Sequence, residues 1–226
     1  MSSILPLFPS RRVAASLPAI LLGMLLMAAA GLPAQDSAST PRDYTEADVH
    51  FMQGMIVHHA QAVVMSDWAQ SHGARPDLQV LCKRIALSQR DEIRVMQQWL
   101  RKRHLSTPDP LHMLSGHDSH VHDSSGMGMP GMDMGDHPMM MKGMLTTEQM
   151  RQLDAARDST FDRLYLTGMI RHHEGALDMV AKLFATPGAG QQSEIFAFAT
   201  DVDAGQRAEI ARMEAILNTL NKGQSQ

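Results

Sequence analysis

Apolar residues recur every three or four positions through four long stretches of this chain, and no stretch alternates apolar with polar as a strand would. The first stretch carries Phe51, Met52, Met55, Ile56, Ala62, Val63 and Trp68. Thr45 precedes it with Asp48 three residues on, a capping-box variant, and Glu46 adds charge to the first turn. Gly73 suits its stop, and Pro76 suits the opening of a helix from about Asp77 to Arg103. Leu78, Leu81, Ile85, Met96 and Leu100 form the expected stripe of that second helix, with Gln89 as a polar interruption. Gln89 is either a core amide bonded to a neighbouring helix or a partner that orients a histidine ring. Thr146 and Gln149 make another capping box before a short helix to about Arg157. Asp158 and Ser159 bend it or cap the next element, which carries Phe161, Leu164, Tyr165, Met169, Ile170, Leu177 and Val180 and ends at Pro187-Gly188-Ala189-Gly190. Ser193 is expected to cap the last helix, with Phe196, Ala199, Val202, Ile210, Met213 and Leu217 facing inward. Gly205 offers room for a neighbouring helix.

These stretches are two copies of one pair. Gly54-Met55-Ile56-Val57-His58-His59 returns as Gly168-Met169-Ile170-Arg171-His172-His173. In that register Asp48 falls on Asp162, Phe51 on Tyr165, Ala62 on Ala176 and Met65 on Met179. Gln89-Arg90-Asp91-Glu92-Ile93 with Met96 returns as Gln206-Arg207-Ala208-Glu209-Ile210 with Met213. The pattern predicts an all-α fold: a four-helix up-down bundle of two repeated hairpins, 44–103 and 146–220, joined by a long Met/His-rich insert, 104–145, and followed by a tail, 221–226.

The insert changes the picture from fold to chemistry. Its periodicity is lost, and Pro, Gly, Ser and Asp are frequent, so it is expected to be disordered without a ligand. Met127, Met129, Met132, Met134, Met139, Met140, Met141 and Met144 fall close together, with His112, His117, His120, His122 and His137 nearby. Thioethers at this density fit capture of a soft cation better than a spacer of drifted composition. Methionine (20) and histidine (12) are the over-used residue types of the whole chain.

Other chemistries are poorly served. A net charge of −4 with signs interspersed is no footprint for nucleic acid. Cys82 is the single cysteine, which rules out an internal disulfide and a thiolate-rich zinc site. There is no Gly-x-Ser-x-Gly elbow and no phosphate-binding glycine loop.

Residues 1–34 read as an export signal: Arg11 and Arg12, an apolar run from Val13 to Leu32, then small residues at the exit. The run is long enough to act as an anchor if uncleaved, but the polar lead-in 35–43 follows at once and favours cleavage. The expected location is periplasmic or otherwise exported.

On a helix, residues four apart share a face and adjacent ones diverge by about 100°. Met55 and His59 therefore share a face, with His58 and Met65 on the flank, and Met169, His173, His172 and Met179 repeat that relation. A lone helical histidine is usually a satisfied polar group, and spaced methionines are usually core filler. Adjacent histidines placed identically in two halves favour ligation instead. The candidate metal ligands are His58, His59, His172, His173, Met55, Met169, Met65 and Met179 in the bundle. In the insert they are Met127, Met129, Met132, Met134, His137, Met139, Met140 and Met141.

Gly54 to Ala62 and Gly168 to Ala176, with the Gln89 and Gln206 phrases after them, resemble the signatures of the DUF305 (CopM-like) family over about Tyr44 to Leu220. The resemblance implies a ferritin-like four-helix bundle, an exported bacterial protein and, in characterised relatives, periplasmic copper binding and copper tolerance. The halves differ at Ala60 against Glu174 and Val64 against Asp178, so a shared site would not be strictly symmetric. The expected function is a non-enzymatic protein that sequesters or hands over copper. Cu(I) leads, with Cu(II), Ag(I) or Zn(II) as alternatives. Expected partners are the metal ion and other periplasmic copper-handling proteins, with no nucleic acid, and a membrane only if the N-terminal segment stays uncleaved. One alternative is a metal-free structural or interaction module. The other is a ferritin-like metallo-oxidase, whose Glu-x-x-His motifs are missing from both repeats.

Overall fold

The computed structural model describes residues 42–109 and 141–222. The chain divides into two units, 1–40 and 41–226, and all described residues belong to the second. The export signal, most of the lead-in, the greater part of the insert and residues 223–226 lie outside the described residues.

Five helices and no strand are present among the described residues: α1 Glu46–Asp67, α2 Pro76–Lys102, α3 Thr147–Ala155, α4 Asp158–Ala185 and α5 Ser193–Lys222. The Thr45–Asp48 and Thr146–Gln149 capping boxes both form. Past Asp67 one more turn closes at Gly73, whose φ of 71° lets the Ala74 N–H reach back to the Ala69 carbonyl at 2.9 Å. Pro76 opens α2, as its missing N–H and fixed φ suit a first turn.

Several local expectations are corrected. Of the two readings of Asp158 and Ser159 the bend holds and the cap does not: the short helix ends at Ala155, and Asp158, at φ 50°, donates its N–H to the His72 carbonyl at 2.8 Å. Ser193 is not the cap of α5, because Gln192 Oε1 accepts the Ile195 N–H at 3.0 Å. Phe196 is 54% exposed with its ring tilted against that of Phe184, and the inward positions are Ile195 and Phe198. Leu164 is exposed and Leu166 takes the core position. Nothing lies near Gly205. The described ends of the insert touch the bundle: Ser106 accepts a hydrogen bond from Gln53, and residues 141–145 lie against α1 and α4.

Helices α1 and α2 form one hairpin, α4 and α5 the other, and α1 packs on α4 between them. The pairing of α1 with α4 is antiparallel. The Gly190 N–H meets Asp48 Oδ1 at 2.7 Å at one end, and the Arg75 N–H meets Asp162 Oδ1 at 3.2 Å at the other. Gly54 faces the Met179 methyl, and Gly168 faces the Met65 methyl. Repeat-related residues thus meet repeat-related partners, and a pseudo-two-fold axis runs between the two His-His phrases. Two apolar clusters fill the bundle. One holds Met65, Leu78, Ile85, Phe161, Tyr165 and Met169; the other holds Met55, Ile56, Met96, Val180, Ile195 and Val202.

Asp48 caps its own helix and holds the distant Gly190 amide. Asp48→Ala is expected to lower unfolding free energy by roughly 2–3 kcal/mol, from a lost cap and an orphaned buried N–H. A shift in the urea midpoint measures it; an unchanged midpoint would mean that Asp48 contributes no net stability.

Candidate metal centre

Between the two apolar clusters each long helix turns polar inward. Helix α1 contributes His58 and His59, α2 contributes Gln89 and Glu92, α4 contributes His172 and His173, and α5 contributes Gln206 and Glu209. All four histidines are fully buried. The helical period explains the layer: these residues continue the core stripe of each helix, so packing the apolar turns above and below carries them inside.

The two central rings meet on the pseudo-two-fold axis. The centroids of His58 and His172 are 3.8 Å apart with planes 39° from parallel. The outer two are turned to carboxylates: His59 Nε2 lies 2.6 Å from Glu92 Oε2, and His173 Nε2 lies 2.7 Å from Glu209 Oε2. Ser88 supports Glu92 from its other oxygen at 3.0 Å. His58 Nε2 approaches the Lys142 carbonyl at 3.3 Å.

Among the described residues the remaining ring nitrogens have no such partners. Nδ1 of His58, His59 and His173 and both nitrogens of His172 are buried without a hydrogen bond, as are the Gln89 amide and Gln206 Oε1. The His58 carbonyl lies close enough to His172 to favour its protonation slightly, yet falls short of a hydrogen bond. His72 is the contrast within the same molecule. It is buried outside the layer, with Nδ1 at 2.9 Å from Ser71 Oγ and Nε2 at 2.9 Å from the Asp154 carbonyl. An orphaned buried polar group costs about 1–3 kcal/mol, so concentrating them in one layer is expensive for stability alone.

Electrostatics keep the central rings neutral. Burial, then the neighbouring His59, pushes His58 down to about 3. Burial, then His58 and His173, holds His172 well below the ordinary histidine value. Burial pushes the Glu92 carboxyl up, but the hydrogen bond and charge of His59 outweigh it and leave it below the ordinary value. Neutral imidazole is the ligating form.

The candidate ligands are dispersed in an orderly way. Met65 and Met169 sit in one apolar cluster and Met55 in the other, with Met179 at the edge of the second. Met141 Sδ and the Met179 methyl both lie over Gly54, one turn from His58. Met127, Met129, Met132, Met134, His137, Met139 and Met140 lie outside the described residues. Among the described residues no three His, Cys, Asp or Glu side chains converge as a ready-made cage. Cys82 is buried in an apolar cluster, and burial pushes its thiol up to about 12, so it is a protonated thiol in the metal-free fold.

The histidine-orienting role considered for Gln89 and Gln206 belongs instead to Glu92 and Glu209, one turn further along the same helices. The signal was in the sequence, since the glutamate recurs in both second-helix phrases. Contact between α1 and α2, and between α4 and α5, was needed to read it.

A family model described as a domain of unknown function, DUF305, matches residues 48–217. No curated protein matches the chain. Among solved structures, a DUF305 fragment from Deinococcus radiodurans is 25% identical with a TM-score of 0.59, covering 78% of this chain and 98% of that one. A DUF305 protein from Streptomyces coelicolor is 24% identical with a TM-score of 0.58, covering 79% of this chain and 95% of that one. CopM in its Cu(I)-bound form is 22% identical with a TM-score of 0.53, covering 76% of this chain and 96% of that one, a likeness of fold.

Proposed function

This chain belongs to the DUF305 family, and we propose that it binds Cu(I) in the histidine layer of its bundle as an exported carrier or sequestering protein, not as an enzyme. The observation that carries this reading is the set of buried, neutral imidazole nitrogens without partners, beside two rings whose Nε2 is held by a carboxylate. A ligating histidine usually donates its second ring N–H to a carboxylate or carbonyl, which fixes the tautomer and aims the free lone pair. Glu92, Glu209 and the Lys142 carbonyl stand where such partners would stand.

Imidazole suits copper, and thioether selects Cu(I) and Ag(I) over harder ions. Met141 and Met179 over Gly54, one turn from His58, with the methionines of the insert, support the soft end of that range. CopM, which shares the fold, has been solved with Cu(I), Cu(II) and silver bound, and this lends weight to a copper reading. Export is supported by the pattern of residues 1–34 and by the Streptomyces coelicolor relative, described as a candidate secreted protein. No helix among the described residues is long and apolar enough to cross a membrane.

Titration with Cu(I) against a competing chelator tests the reading. The variant with His58, His59, His172 and His173 all changed to alanine is expected to bind more than about a hundredfold more weakly at the bundle, beyond the 10–100-fold effect of losing a supporting partner. A second variant with leucine for Met127 to Met144 separates binding by the insert. Equal affinity in the four-alanine variant and the natural chain would remove the bundle from the proposal.

A further inference from the structure

We propose that residues 141–145 form a strap that shuts the central histidine pair from one side. Gln61, Gly175 and Asp178 are its positioning residues, and the cation enters and leaves when the strap lifts. The identity of the cargo rests on the copper reading; the strap itself does not.

The two-fold register shows where the strap was built in. Gln61 and Gly175 occupy the same position in the two repeats, as do Val64 and Asp178. Each departure from the repeat at these positions touches the strap. Gln61 donates to the Leu145 carbonyl at 2.9 Å and accepts the Leu145 N–H at 2.7 Å. Gly175 leaves the space the strap backbone runs through, since a Cβ there would collide with the Lys142 carbonyl. Asp178 pairs with the Lys142 ammonium at 3.0 Å. Gly143 takes φ 86°, which turns the strap against the backbone of α4.

The strap reaches the site on its inner side. The Lys142 carbonyl faces His58 Nε2 at 3.3 Å, and Met141 Sδ lies over Gly54 beside Met179. The strap's one ring contact is to His58, while both nitrogens of His172 stay without a hydrogen bond among the described residues. The strap therefore makes the pseudo-symmetric pair unequal: both rings are buried, but only His58 also faces a strap carbonyl. Its attachments are a few hydrogen bonds, one half-exposed ion pair and a single apolar anchor, the buried Leu145 side chain against Gly168, a set small enough to open without global unfolding.

Carbethoxylation of the metal-free full-length chain by diethyl pyrocarbonate, resolved by peptide mass spectrometry, tests access directly. In the natural chain His58 and His172 are expected to react far more slowly than the exposed His50 and His104. In Gln61→Ala the Leu145 amide should lose hydrogen-exchange protection, and both central histidines should react about tenfold faster, as loss of two hydrogen bonds from the closed state predicts. His72 should stay as slow as before, which reports an intact fold. Gln61→Glu, which keeps the acceptor for the Leu145 N–H, should restore part of the protection. Should Gly175→Ala or Gln61→Ala speed every histidine alike, the fold itself has opened, and the milder Asp178→Asn decides by the same readout. Central histidines that stay slow after Leu145 loses protection, or that match His50 in the natural chain, overturn the strap. A Leu145 amide that stays protected in Gln61→Ala overturns the latch. Faster Cu(I) release to a chelator in the strap variants is the matching result with cargo. A chain that takes up no copper yet passes the modification test loses the copper reading and keeps the strap.

Discussion

Replacing His58 and His172 together by leucine is expected to stabilise the metal-free chain by roughly 2–4 kcal/mol and to abolish any stabilisation by Cu(I). The pair brings three unpartnered nitrogens into a layer walled above and below by apolar side chains. Removing buried polar atoms together with their need for partners is near neutral or favourable, whereas removing one partner of a satisfied pair is costly. Leucine is close enough in volume to fill the same space without a large cavity. For a chain of this size the gain corresponds to roughly 5–15 °C in Tm. Either single substitution should gain less, since the other ring keeps its orphaned nitrogens. Urea unfolding with and without Cu(I) measures both halves of the effect. A double variant destabilised by more than about 1 kcal/mol would mean that the rings are well satisfied in the folded state and are held for packing, not for a ligand.

Acid is expected to unfold the metal-free chain earlier than its carboxylates alone would require. His58, pushed down to about 3 by burial, stays neutral in the fold while an unfolded histidine protonates near 6.5. Between those values the unfolded state binds more protons, so stability is full above about pH 6.5 and falls as pH drops towards 3. The His58 contribution is at most roughly 4–5 kcal/mol across that window. His172, also lowered by burial, acts in the same direction. Glu92, lowered by His59 against its burial, adds a loss as pH falls through its folded value. Asp162, raised by burial, works the other way, but it is only one group and is partly offset by the Arg75 amide. Unfolding midpoints measured from pH 7 to pH 4 should fall steeply in the natural chain and much less in the His58→Leu, His172→Leu variant. Parallel curves for the two proteins would contradict the buried neutral pair.

The repeat carried more of the site than any single motif did. Matching Gly54 with Gly168 and Met65 with Met179 along the chain established that the halves are equivalent, and the fold then shows each glycine receiving the methionine of the other half. Capping boxes were legible for the same local reason, because Thr45 and Thr146 bond within one turn of themselves. Errors fell on residues two positions apart, Phe196 against Phe198 and Leu164 against Leu166, which lie about 200° apart around a helix. Apolar side chains on both faces leave the inward one undecided in the sequence, and the partner helix selects it. Gln89 drew attention as the polar break in a stripe, while the group that reaches the histidine is Glu92, one turn away.

Read alone, the chain determined that four amphipathic helices come in two equivalent pairs and that imidazoles recur at one level of both. Periodicity, caps and internal repetition are local or self-referential signals, and they survive without coordinates. Only packing decided that two rings stack on the axis while two turn to glutamates, and that the end of the insert lies across one of them. Those outcomes depend on contacts between residues more than thirty positions apart, whose distances are set by how the hairpins dock. The unequal partners Gln61 and Gly175 carry no signal along the chain, because what needs them both is the segment 141–145 that packs between them.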